Sequence, residues 1–257
     1  MARRFLFALC LLAMPAFADD APWVAATALV KDVNTDIVKG GIHGIDSHVP
    51  DLEKALADGM AGYPPEPGAN GQAVVLTDGP AETLLALAAA AKQKQATTAI
   101  SNPYADVGLM LALYYNEMRR PQEALRVIDT TFRLKPVQGA FVGAHDAGLL
   151  TEQATAYEAL KRWSDGLASA DTALKASQTD RDKSRSHRAR GFNLVELGRL
   201  NEAEIAYGNS LKLEPNNAVA RSELAYIARL RAGGPSAPPQ QITPKPAEPG
   251  PPKPPPV

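Results

Sequence analysis

The sequence predicts an all-α fold whose second half is a stack of helical hairpins. Three observations lead there: internal self-similarity, small and large apolar residues at helical spacing, and well-marked helix starts. The segment Leu197-Gly198-Arg199-Leu200-Asn201-Glu202-Ala203 aligns with Leu160-Lys161-Arg162-Trp163-Ser164-Asp165-Gly166 at an offset of 37, and Pro121-Gln122-Glu123-Ala124 carries an earlier copy. Small residues such as Ala124, Gly191 and Ala203 allow helix backbones to approach closely, and Tyr115, Tyr157 and Tyr207 supply bulk to fill the space between neighbouring hairpins. Asn102-Pro103, Pro121 and the Asn201/Glu204 pair read as helix starts, and Gly198 as a left-handed helix terminator.

These residues resemble the tetratricopeptide repeat family, whose unit of about 34 residues folds as two antiparallel helices. The first unit, Ala105 to Gln138, has Leu111, Ala112, Tyr115, Ala124 and Ile128 in place and closes with Pro136. The third, Ser184 to Asn217, has Gly191, Leu194, Ala203 and Tyr207 and closes with Pro215. In the second, Ala147 to Asp180, the residues Ala154, Tyr157, Gly166, Ala170 and Ala173 fit, but Gln178 stands where proline is expected. Unit starts are 42 and then 37 residues apart, so the first insertion, near Gly139 to His145, should lengthen a loop or extend a helix. Ala218 to Ala232 reads as a capping helix.

Ahead of the repeats, Trp23, Thr27, Val30, Val33 and Ile37 keep helical spacing until Gly40-Gly41. Pro50 to Met60 reads as a short helix, Tyr63 to Gln72 as a loop, and Ala73 to Thr77 as a short strand or an extended lead-in. Pro80 to Thr97 reads as one helix. About 80 residues with few large apolar side chains would be marginal alone, so this region is expected to cap the first hairpin.

The two termini are of different material. Arg3 and Arg4, the apolar run Phe5 to Met14 and Ala16-Phe17-Ala18 read as a secretory signal cut between Ala18 and Asp19. Lipid attachment at Cys10 is the alternative, and bulky Leu9 before it argues against that. The cut chain has no cysteine and no apolar run long enough to span a membrane, and 25 basic against 28 acidic side chains leave it at −3. That balance does not suggest nucleic-acid binding, and with the alanine-rich composition the signal favours a bacterial periplasm. Residues 233–257 hold 11 of the 22 prolines and read as a disordered tail, a spacer or a ligand for a proline-binding partner. The expected organisation is a signal over 1–18, a helical region over 19–100, repeats over 101–232 and the tail.

No nucleophile elbow, phosphate-binding loop or dinucleotide fingerprint is present, and no cofactor is implied. The nearest chemical constellation, His43 to Glu53, offers His43 and His48 beside carboxylates as a metal-dependent rival, although Gly44 and Pro50 oppose the helical spacing that a ligand pair would use. The tetratricopeptide resemblance implies instead a non-enzymatic scaffold that takes a peptide or protein partner in a groove lined by the first helix of each unit. In the first unit that places Leu109, Leu113, Asn116 and Glu117 in the groove, and in the third Arg185, Arg188 and Phe192. With Arg181, Lys183 and Arg190 adding to the positive run, an acidic peptide is the implied ligand. The structural rival is a subunit whose hairpin stack is buried inside a larger complex.

Overall fold

The computed structural model describes residues 21–68 and 71–234. The signal-like segment and the tail beyond residue 234 lie outside the described residues. Helix α1 (Pro22–Gly40) is followed by a 3₁₀ segment (Gly41–His48) and α2 (Val49–Ala61). Strand β1 (Ala73–Thr77), α3 (Pro80–Lys92) and β2 (Thr97–Ser101) form a single β-α-β unit with its two strands parallel. The repeats then follow as three hairpins, α4 (Pro103–Glu117) with α5 (Pro121–Arg133), α6 (Asp146–Ala159) with α7 (Trp163–Ala176), and α8 (Asp180–Glu196) with α9 (Leu200–Leu213). Helix α10 (Ala218–Arg231) closes the stack. Among the described residues, no helix is long and apolar enough to cross a membrane.

The second hairpin is as fully formed as the other two, although its sequence fits least well. The reason lies at the corner between its helices. Arg119, Lys161 and Gly198 occupy the same repeat position, and all three are left-handed, with φ of 57°, 57° and 72°. At each corner the next residue's N–H bonds the carbonyl five positions back: Arg120 to Tyr115, Arg162 to Tyr157 and Arg199 to Leu194, all at 2.8 Å. The same arginine then pairs with an acid three residues on, Arg120 with Glu123, Arg162 with Asp165 and Arg199 with Glu202. A hydrogen-bonded terminator thus recurs at each corner, and only the third uses the glycine that makes it visible.

Packing inside the hairpins depends on absent side chains. A Cβ on Gly108 would lie 1.9 Å from Thr131 Oγ1, and one on Gly191 would lie 2.8 Å from the Tyr207 ring. Tyr207 thus closes on Gly191 of its own hairpin and also shares a core cluster with Leu167 of α7 and Ile227 of α10. Tyr157 lies at the α6–α7 corner with the Arg162 guanidinium over its face, 4.5 Å from the ring centre. Tyr115 ties the first hairpin to the preceding helices, donating to Glu53 Oε1 of α2 at 2.6 Å.

Helices α1 and α2 pack on α4, and α2 also meets α5, so one core runs from Ala26, Val33, Leu52 and Leu56 into Tyr104, Leu111 and Ile128. The β-α-β unit corrects the expectation of one helix from Pro80 to Thr97. Helix α3 stops at Lys92, and the chain turns through left-handed Lys94. The β-branched Thr97, Thr98 and Ile100 then pair with β1 instead of continuing the helix.

The inserted loop after α5 is where this unit docks. Lys135 Nζ lies 2.6 Å from both Glu82 Oε1 of α3 and Asp146 Oδ2 of α6, and all three side chains are buried. Asp78, just after β1, receives the His145 N–H at 2.7 Å, and its other oxygen lies 2.7 Å from His145 Nδ1. His145 Nε2 lies 3.2 Å from Asp106. Two carboxylates thus hold the imidazole, chiefly the bond to Asp106 and then that to Asp78, and raise its pKa to about 10.

Two outcomes follow from these contacts. The folded pKa of His145 lies above its unfolded value of about 6.5, so its contribution to stability is complete below pH 6.5 and is lost as pH rises through about 10. His145→Gln should flatten that alkaline limb in pH-dependent thermal melts; an unchanged limb would show that the clamp does not act. At the corners, Lys161→Gly should raise Tm by about 1–2 °C and Gly198→Lys should lower it similarly, since a left-handed side chain costs about 1 kcal/mol before unfolded-state entropy is subtracted.

Candidate functional site

The first helices of the units form an inner layer. Helix α4 meets α6, α6 meets α8, and α8 meets α10, whereas α5 and α7, and α7 and α9, share no close backbone approach. A stack that closes on one side and spreads on the other is curved, and its concave side is the α4–α6–α8–α10 face. The groove residues expected from the sequence lie on α4 and α8, two of these helices.

Their individual fates differ. Leu109 packs against Gly148 of α6, where an added Cβ would lie 3.3 Å from its methyls, so it belongs to the helix contact. Leu113 is half-buried and Glu117 exposed, both near the α4 end of the face. Asn116 donates through Nδ2 to the Glu152 carbonyl at 2.9 Å and to Glu152 Oε2 at 2.8 Å. Arg185 pairs with the other oxygen of the same carboxylate. Phe192 is half-buried and packs edge-on against Trp163, ring centres 6.1 Å apart. Arg188 turns away to Glu214 Oε2 at 2.5 Å and Ser184 Oγ at 2.9 Å, closing the third hairpin on itself.

Glu152 is the residue that sequence reasoning missed. Its side chain is 3% exposed, and it joins Asn116 of the first unit to Arg185 of the third across the second. A buried carboxylate is tolerable only with such partners. Arg185 is therefore the counter-ion of Glu152. Arg190 likewise ties α8 to Asp171 of α7 at 2.7 Å, and Lys183 approaches Asp180 at 3.8 Å. Three arginines of the basic run on α8, Arg185, Arg188 and Arg190, thus serve as ties to acids of other helices or their ends.

Uncompensated charge on this face is negative. Glu158 of α6, Glu196 of α8 and Glu223 of α10 form no ion pair among the described residues. Glu158 Oε1 accepts from Asn193 Nδ2 at 2.7 Å. Burial, opposed by that hydrogen bond and reinforced by the charges of Glu152 and Glu196, pushes the Glu158 pKa up to about 8. Burial also raises Glu196, and it raises Glu223 with help from the charge of Glu196. Carried forward by the offsets of 42 and 37, the first unit's groove positions Asn116 and Glu117 fall on Glu158 and Glu196, so the repeat register already held both.

The metal-binding alternative has a different outcome. His48 Nε2 lies 3.0 Å from Asp36 of α1, and His43 Nδ1 lies 3.4 Å from Asp46. Each imidazole is thus assigned to its own carboxylate. Among the described residues there is no group of three or more His, Cys, Asp or Glu placed to hold a metal ion. Gly44 explains the local path, since a Cβ there would lie 2.4 Å from the Asp36 carbonyl oxygen.

No family model matches the chain, and no curated protein matches it. Among solved structures it is similar to the first tetratricopeptide domain of human RPAP3, determined by NMR, at 25% identity over 51% of this chain and 94% of that one, with a TM-score of 0.44. It is also similar to the first tetratricopeptide domain of Spaghetti (RPAP3) bound to the HSP90 peptide SRMEEVD, at 26% identity over 50% and 96% of the two chains, with a TM-score of 0.43. The fold is tetratricopeptide-type, as its own hairpins, corners and inner layer define it.

The raised Glu158 pKa has a measurable sign. Because the folded value near 8 exceeds the unfolded value of 4.5, this group makes the protein lose stability as pH rises from about 4.5 through 8. Glu158→Gln keeps the bond from Asn193 and removes the titration, so the variant should gain on the unaltered chain as pH rises from 5 to 9. Denaturant melts at the two pH values check this, and a constant difference between the chains would contradict it.

Proposed function

We propose that the chain is a periplasmic interaction scaffold that holds an extended peptide or a helix of a partner protein along its inner face. The observation that carries this reading is the asymmetry of the stack: first helices touch along one side while second helices stand apart on the other. Such a concave surface presents side chains from several hairpins to one elongated ligand, and affinity then comes from many modest contacts in register. Leu113 and Phe192 offer partly apolar footholds. Glu117, Glu158, Glu196 and Glu223 give the face a negative balance. A partner carrying positive charge fits it better than the acidic peptide that the basic run alone would suggest.

The export half of the proposal rests on the leader-like start of the sequence, with its two arginines, short apolar run and Ala16-Phe17-Ala18. The mature chain would begin at Asp19, two residues before the first described residue. No catalytic role is proposed. The histidines that might have carried one are each bound to a separate carboxylate.

Photo-crosslinking in intact cells tests the groove. A benzophenone amino acid at Leu113 or Phe192 should capture a discrete partner, while the same group at Lys175 or Lys212, exposed on the outer helices, should not. Equal capture from both layers would instead indicate a stack buried inside a larger assembly. Amino-terminal sequencing of the periplasmic fraction should start at Asp19; a mature chain still beginning at Met1 would overturn the export assignment.

A further inference from the structure

The sheet of the β-α-β unit is left open at its edge. Parallel strands ordinarily belong to wider sheets, yet among the described residues β1 and β2 pair only with each other. Ala96 O accepts from the Ala73 N–H, and the Asn102 N–H donates to Thr77 O, so alternate residues from Ala96 to Asn102 address β1. The N–H and C=O groups of Thr97, Ala99 and Ser101 therefore point away from β1, and no described residue bonds them. Thr97 and Ala99 are half-buried and Ser101 is exposed. Strand β2 has no charged residue and no proline, which commonly guard an exposed edge.

Helix α3 covers one face of this sheet and is itself uncovered. Among the described residues six large apolar side chains are exposed, and Leu84, Leu85 and Leu87 of α3 are three of them. From Ala81 to Ala91 the one charged residue, Glu82, is buried. Glu82 meets Lys135 on the β1 side, where the Ala144 N–H also bonds the Asp78 carbonyl. With the right-handed crossover that such units adopt, helical spacing turns Pro80, Leu84, Leu87 and Ala91 to the other side, above the free edge of β2. All four are exposed, Leu84 by 72%. Along its backbone α3 approaches β1 and β2 and no other element, so this surface is separate from the inner face of the repeats.

We propose that this edge and this stripe together form a two-fold interface with a second copy of the chain, continuing the sheet in the order β1-β2-β2-β1. The edge is self-complementary. Antiparallel pairing centred on Ala99 sets Thr97 against Ser101 of the second copy, and about six N–H···O=C bonds result. The stripe is self-complementary as well, because its spacing reads the same when the helix is reversed: Pro80 then meets Ala91, and Leu84 meets Leu87. The two elements also fit one another. Paired strands lie about 4.8 Å apart, so helices centred over adjacent strand pairs lie about 9.6 Å apart, within the 8–10 Å at which helices pack. Two residues join β1 to α3 and four join α3 to β2, so helix and strand are level and one axis serves both. A surface without charge offers no attraction to a strongly charged partner, whereas it suits a copy of itself.

The face is about 20 Å long and about 20 Å deep across helix and sheet, roughly 400 Å² on each copy. That is about half the standard size, so the pair should be transient, forming on the order of tens of micromolar and above. The proposal does not depend on the peptide reading of the groove. A pair would present two grooves to a partner with repeated segments.

Sedimentation velocity of the purified chain between about 1 and 500 μM should show the average mass rising from one chain toward two. Leu84→Glu with Leu87→Glu should weaken association about a hundredfold or more, since the seam would bury unpaired carboxylates. The thermal midpoint should hold, because both side chains are exposed in the single chain. Strand register is read separately in a chain whose single cysteine, Cys10, is replaced by serine. With Ala99→Cys added, the new thiols belong to residues about 5.5 Å apart at Cα, within disulfide reach, and mild oxidation should join two copies. Val38→Cys, at an 86% exposed position of α1, should leave the chain single. Monomers at every concentration, a dimer indifferent to the two glutamates, or equal cross-linking from both cysteines would overturn the assignment.

Discussion

The carboxylate of Glu152 is the constraint on which the inner face depends. It lies almost entirely out of water, where an ionised group is costly unless its oxygens are bonded and its charge is matched. Asn116 supplies the bonds from one side and Arg185 the charge from the other, so three consecutive hairpins are fixed in register around one group. Each hairpin could slide against its neighbour on apolar contacts alone, since such contacts are non-directional. A buried ionic group that demands two specific partners removes that freedom. Its cost is a cation withdrawn from ligand binding.

That trade recurs along α8. Arg185 is used toward α6, Arg188 toward the end of α9 and Arg190 toward α7, each with a different acid. Seen along the sequence they form one basic run, but in the fold they point in three directions. What remains on the concave side is the acid that found no arginine. The sign of the groove is thus set by how the arginines are distributed among helix contacts, and linear charge counts give the opposite answer.

The legible parts of the fold were those fixed by local chemistry. Helix α1 ends at Gly40, α4 starts at Asn102-Pro103 with the Asn102 side chain accepting from the Tyr104 N–H, and α10 fills its expected span. The small residues that allow close helix approach were visible for the same reason, since only sterics decide them. Strand β2 was not legible. Thr97 to Ser101 follow an alanine-rich helix without glycine or proline to stop it, and their strand state depends on pairing with β1 some twenty residues earlier. The β-α-β unit in turn docks through Asp78, Glu82, Lys135, His145 and Asp146, whose partners come from both sides of the insertion. Nothing local announces such a network.

The candidate site divides along the same line. Asn116 and Arg185 were legible as inner-face residues from the repeat register, yet their function as the two partners of Glu152 was not, because Glu152 lies six positions from the aligned groove position that Glu158 fills. Glu158 and Glu196 were within reach of the register, Glu196 as the repeat of Glu117 and Glu158 as a carboxylate where the first unit has Asn116. In a repeat protein the backbone position recurs while the side chain varies, and the ligand reads the variation. Here it takes the form of carboxylates on successive inner helices whose pKa is raised chiefly by burial. A carboxylate whose charge is opposed by burial gains from a cation placed beside it. The fold thus leaves unsatisfied, on its one concave surface, the charge that the rest of the stack has neutralised.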